Sequence, residues 1–132
     1  MLRAIELENF KAFGKPTRIE LAPITLIFGQ NSAGKTSILQ ALSLLKQTLE
    51  SGAPEIPLLA KGELVDLGSF GEMLFDHDLK RNLRFRIDVN PNATVQGSDL
   101  DEFISSEMPE SVGMALSFCR REISEDISLS AI

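Results

Sequence analysis

The sequence predicts a mixed α/β (α+β) domain whose first half runs β-β-β-loop-α and whose second half returns to antiparallel strands. Three observations carry that class. Residues 2–9 and 17–21 alternate apolar and polar side chains on either side of a turn containing Gly14 and Pro16. Residues 35–50 place Ile38, Ala41, Leu42, Leu45 and Leu49 at helical spacing, one stripe of an amphipathic helix. Residues 83–89 and 112–119 go back to a period of two.

In chain order, Ile5 and Leu7 oppose Glu6 and Glu8 in the first strand. Thr17, Ile19 and Leu21 oppose Arg18 and Glu20 in its expected hairpin partner, and Pro23 ends it. Ile24-Thr25-Leu26-Ile27-Phe28 is apolar except for Thr25, the pattern of a strand covered on both faces, so a central sheet position is expected there. A glycine-bounded loop at 29–34 leads into the helix, and Gly52 with Pro54 marks its end. Glu63 to Leu67 is expected to form a short strand. Ser69 and Glu72 have capping-box spacing and open a short helix running to Phe75. Residues 90–111, polar and acidic with two prolines, are expected to form an excursion with one helical turn near Leu100 to Ser105. Asp126 to Ile132 starts a last strand.

Composition narrows the class. With 132 residues the chain fits one domain (1–132), divided into a 1–53 segment of strands, loop and helix and a mainly antiparallel 54–132 segment. Hydrophobic residues make up 43% and charged residues 24%, which excludes a largely disordered or collagen-like chain. No apolar run approaches the ~20 residues of a membrane-spanning helix. Glu6 and Glu8 interrupt any secretory leader, so a cytoplasmic protein without membrane contact is expected. A single cysteine, Cys119, has no internal partner for a disulfide. The net charge of −6 is uneven: residues 1–50 hold six Lys/Arg against four Asp/Glu, and residues 51–132 hold seven against fifteen. An acidic chain does not coat nucleic acid through phosphate contacts, but its basic half can hold an anion locally.

Gly29-Gln30-Asn31-Ser32-Ala33-Gly34-Lys35-Thr36 in that basic half matches G-x-x-x-x-G-K-[ST], the Walker A pattern. Backbone N–H groups must turn inward to ring a polyphosphate, and Gly29 and Gly34 allow the dihedrals and the close approach. Lys35 supplies a compact charge for the β- and γ-phosphates, Thr36 a hydroxyl for Mg²⁺, and the helix its positive end. The expected nucleotide contacts are Gly29, Gln30, Asn31, Ser32, Ala33, Gly34, Lys35, Thr36 and Ser37, with Thr36 also the metal ligand.

Asn9-Phe10-Lys11 after the first strand, followed by a second strand and I-T-L-I-F-G-Q-N-S-A-G-K-T, resembles the N-terminal lobe of ABC-type ATPases of the OLD/RecF/SMC-like group. Lys61 to Phe70, K-G-E-L-V-D-L-G-S-F, is similar to bacterial AAA-type, OLD-like ATPases. The likeness is good over 1–50, fair over 58–90 and weak beyond. It implies a P-loop NTPase lobe binding ATP and Mg²⁺, a role in DNA repair or phage defence, and a partner in the remainder of the ATPase head or a second head, a homodimer in the intact protein that could act on DNA. It also implies that Lys11 reaches the nucleotide from the first hairpin.

Hydrolysis in that group requires four apolar residues followed by Asp-Glu. Asp101-Glu102 follows Gln96-Gly97-Ser98-Asp99-Leu100, which is not an apolar strand, and the serine-glycine signature motif is missing. No catalytic residue is therefore assigned, and the chain reads as the first lobe of a longer, incomplete ATPase head or a truncated product that does not turn ATP over alone. Two rivals stay open: a non-catalytic nucleotide-binding module and a compact P-loop kinase or GTPase-like enzyme. Asp76-His77-Asp78 reads as a surface loop rather than a metal site, and Arg84 with Arg86 as a solvated strand face rather than a DNA-facing stripe.

Overall fold

The period-two stretches become one antiparallel sheet. The computed structural model describes residues 1–30, 34–52, 56–90, 111–120 and 127–131. Strands β1 (Leu2–Glu8), β2 (Thr17–Glu20), β3 (Leu83–Val89), β4 (Val112–Arg120) and β5 (Ile127–Ala131) lie in the order β2-β1-β3-β4-β5. Helix α1 (Lys35–Glu50) begins directly after Gly34. A four-residue helix α2 (Phe70–Met73) and a 3-10 turn at Phe75–His77 precede β3. The mixed α/β class and the β1–β2 hairpin are as the sequence implies, with Ile5 opposite Ile19 and Leu7 opposite Thr17.

Register sorts the side chains into two faces. On one, Ile5 sits opposite Ile87, Leu7 opposite Phe85, Phe85 opposite Leu116 and Leu83 opposite Phe118. Burying such side chains contributes about 1.5–3 kcal/mol each. Ile38, Ala41, Leu44 and Leu45 of α1 join the same cluster, with Leu58, Leu67, Met73 and Leu74 from the connecting segments. Phe10, Phe85 and Phe118 run through it edge to face, with ring centroids 5.4 and 6.1 Å apart. The opposite face is a charge ladder. Glu6 faces Arg86 and Glu8 faces Arg84 across β1–β3, and Arg18 holds Asp88 at 2.5 Å. The arginines of this face are thus paired with carboxylates, as a solvated strand face requires.

Three expectations are corrected. Ile24 to Phe28 is not a central strand. It pairs with no strand among the described residues, and Ile24, Leu26 and Phe28 are 84, 73 and 84% exposed. An apolar run becomes a buried strand only when other strands flank it, and β2, β1 and β3 pair with one another instead. Only Ile27 of this run packs against the core. Glu63 to Leu67 is not a strand but a tight loop closed by one bridge, Lys61 to Asp66. The buried side of α1 also differs: Leu49, in the last turn, is exposed, whereas Leu44 and Gln47 are buried. Gln47 is buried because the 59–65 loop lies on it. The expected excursion and helical turn within 91–110 fall outside the described residues.

Candidate nucleotide-binding site

The site is built where the unpaired 24–28 segment meets α1. Gly34 is the N-cap of the helix and takes φ +87, a left-handed conformation that a side chain resists. A side chain would also be crowded there: a Cβ would lie 3.0 Å from Phe13 Cζ and 3.2 Å from the Ala12 Cβ. The β1–β2 turn thus rests directly on the residue before Lys35. Lys35, first residue of α1, curls back so that its Nζ donates to the carbonyls of Gly29 at 2.6 Å and Gln30 at 2.5 Å. That contact brings the Gly29 and Gln30 carbonyls to the positive end of the helix. Thr36 is exposed beside it, and Ser37 is buried. The structure therefore brings Gly29, Gln30, Gly34, Lys35 and Thr36 together, while Asn31, Ser32 and Ala33 lie outside the described residues.

Lys11 is placed elsewhere: its Nζ donates to Glu72 O at 3.1 Å, and its backbone N–H to Met73 O at 2.8 Å. The turn that carries it is held from both sides. Phe10 and Phe13 exchange backbone bonds of 3.0 and 2.7 Å, and Phe75 N–H donates to Asn9 O at 3.4 Å. Asn9, fully buried, donates from Nδ2 to Arg81 O at 3.0 Å, while its Oδ1 has no partner among the described residues. An unsatisfied buried acceptor costs about 1–3 kcal/mol, so the two loops are held together against a local penalty. Gly14 is needed on the far side of the turn, because a Cβ would meet the Phe75 ring at 2.7 Å.

Further contacts lie in the segments that pack on the β1–β2 turn and on α1. The 3-10 turn carries left-handed φ values at Asp76 (+52) and His77 (+54), and His77 Nδ1 lies 2.9 Å from Gly71 O. Among the described residues no group of three or more His, Cys, Asp or Glu is arranged to hold a metal. The Ser69 N–H and hydroxyl hold the Glu72 carboxyl below its ordinary pKa, the backbone bond being the larger cause, with a 2.5 Å contact to Oε2. Behind α1, Gln47 Nε2 donates to Leu59 O at 2.5 Å and Val65 O at 3.1 Å, and its Oε1 accepts from Val65 N–H at 3.0 Å. Sequence reasoning passed over Gln47 and gave Arg81 no role at the site. A polar residue in an amphipathic stripe carries no signal until the loop that lands on it is known, and Arg81 is 67 residues from the Gly14 carbonyl it binds.

A lysine at the amino end of α1, folded back on the carbonyls of Gly29 and Gln30, fits a P-loop protein of mixed α/β architecture. The chain belongs to the AAA ATPase domain family, whose model matches residues 1–128. That membership supports ATP binding by an AAA-type ATPase. No curated protein matches the chain. Among the described residues no helix is long and apolar enough to cross a membrane.

Proposed function

We propose that this chain is the ATP-binding segment of an ABC-type ATPase of the OLD/RecF/SMC-like group, acting on DNA in repair or phage defence. The observation that carries the nucleotide part is the position of Lys35: its ammonium spans the carbonyls of Gly29 and Gln30 at the amino end of α1. An ammonium parked on neutral carbonyls is free to exchange them for a doubly charged phosphate, a stronger acceptor. Backbone N–H groups of the 29–37 loop complete the contact set. Mg²⁺ would neutralise phosphate charge, and Thr36, exposed at the second position of α1, would hold it. Lys11 joins the contact set by leaving the Glu72 carbonyl.

The group assignment rests on N-F-K beside the phosphate loop, and Phe13 against Gly34 puts that hairpin at the loop. The exposed side chains of Ile24, Leu26 and Phe28 support a 24–28 segment that is covered by the remainder of an ATPase head or by a second head, in a cytoplasmic protein.

Calorimetric titration of ATP with Mg²⁺ into the wild-type chain and Lys35→Ala tests the proposal. Loss of one charge-assisted contact weakens binding about tenfold or more. Equal affinity in both proteins overturns the phosphate-loop reading. The chain alone is expected to release no phosphate from ATP, and sustained Lys35-dependent release would show that it holds a complete catalytic apparatus.

A further inference from the structure

We infer that Arg81 is a positioning residue for the phosphate loop, acting through the β1–β2 turn. The inference rests on the nucleotide reading above and adds a residue to it. Arg81 grips the turn at both ends. Its guanidinium donates to Gly14 O on the outgoing side and lies 3.8 Å from Glu8 Oε1 on the incoming strand. Its own carbonyl accepts the Asn9 amide at 3.0 Å. Between those grips stand Ala12 and Phe13, the two residues that abut Gly34. Gly34 caps α1, and Lys35 follows it directly.

The turn has little freedom of its own. Asn9 and Lys11 both hold left-handed φ values, +56 and +48, which non-glycine residues keep only when their surroundings enforce them. The enforcing contacts come from the segment 73–81: Met73 O on Lys11 N–H, Phe75 N–H on Asn9 O, the Phe75 ring on Gly14, and Arg81. Arg81 is the one long, charged side chain among them, and it is partly exposed, so it can be replaced without opening the core. Releasing Gly14 lets the turn relax away from Gly34. The amide groups at the start of α1 then lose the wall that fixes them, and a phosphate site depends on such fixed donors.

Two readouts on the full chain test this: the backbone amide resonances of Gly34 and Lys35, and the affinity for ATP with Mg²⁺. Arg81→Ala is expected to shift both resonances and to raise the ATP Kd about five- to tenfold, the effect of misplacing roughly one hydrogen bond's worth of contact. In Arg81 one nitrogen, Nη2, meets both Gly14 O and Glu8 Oε1; Arg81→Lys keeps the charge on a side chain one bond shorter, so it moves both readouts in the same direction by less. Arg84→Ala removes the other partner of Glu8, at 3.4 Å, without touching the turn, and leaves both readouts at wild type. Unmoved Gly34 and Lys35 amides in Arg81→Ala, or equal movement in Arg84→Ala, overturns the inference while leaving the phosphate loop intact. Wild-type ATP affinity in Lys35→Ala overturns the nucleotide reading instead, and the amide shifts still decide whether Arg81 seats the turn.

Discussion

Strand β3 and the segment 24–28 are both rich in apolar residues, and they end in opposite environments. Leu83 and Phe85 of β3 are buried, with β1 on one side and β4 on the other. Ile24, Leu26 and Phe28 face solvent, and residues 26–28 form no hydrogen bond among the described residues. The run at 24–28 is the more continuously apolar of the two, so hydrophobicity does not explain the difference. What β3 has is two antiparallel neighbours in register and a helix stripe to cover one face. Composition sets how much a stretch gains by burial; the availability of flanking strands decides whether it becomes a strand at all.

The strongest test of that contrast is Phe85→Ala. The ring sits at the centre of the three-phenylalanine chain, 1% exposed, and its removal leaves a cavity that the sheet cannot fill. A loss of about 3–5 kcal/mol is expected in urea unfolding, a large share of the roughly 5–15 kcal/mol that holds a small domain folded. A loss below 1 kcal/mol would mean that the apolar face of β3 is not the core.

This core was legible in advance because its information is local. Alternation in 2–8, 83–89 and 112–119 marks the faces, and helical spacing marks α1, whose bounds at Lys35 and Glu50 match the periodic stretch. The Walker A pattern is readable for the same reason, since Gly29, Gly34, Lys35 and Thr36 lie within eight consecutive residues. Position 24–28 was misread because a strand's neighbours are not written in the strand. The grip of Arg81 on Gly14 and of Gln47 on Leu59 and Val65 was unreadable too: each joins segments whose meeting place is not written in either of them.

Gln47→Ala sharpens the comparison from the helix side. It leaves Leu59 O, Val65 O and Val65 N–H without their side-chain partner in a part-buried setting. A destabilisation of about 2 kcal/mol is expected, since each stranded buried group costs about 1–3 kcal/mol and water recovers part of it. Hydrogen exchange should show the loss concentrated in residues 59–67 while β1 and β3 keep their protection; uniform loss would mean that Gln47 acts on the whole core.

The charged face of the sheet responds to pH. Asp88 is held below its ordinary value of 3.8, first by the hydrogen bond from Arg18 and then by Arg86. A carboxylate with a depressed folded-state pKa adds stability above the unfolded value, and that stability drains away as pH falls through the folded value. Glu72, also depressed, from 4.5 by Ser69, acts in the same direction. Stability is therefore expected to be flat above about pH 5 and to decline below about pH 4. Asp88→Asn lowers the plateau, because the Asp88 side chain is only 13% exposed and loses both arginine partners' charge attraction, and makes the acid decline shallower. An unchanged acid slope in that variant would remove Arg18–Asp88 from the account.

The smallest expected effect belongs to the segment the sheet leaves out. Leu26 is 73% exposed, so Leu26→Ser deletes no core contact and should change unfolding free energy by no more than about 0.5 kcal/mol. The same exchange breaks an apolar patch formed with Ile24 and Phe28, and patches of this kind drive association. Solubility is thus expected to rise while the melting temperature stays put, the reverse of Phe85→Ala, where both fall. A melting temperature that drops with Leu26→Ser as far as with Phe85→Ala would place 24–28 inside a packed sheet. The two apolar stretches would then be equivalent, and the flanking-strand explanation of their difference would fail.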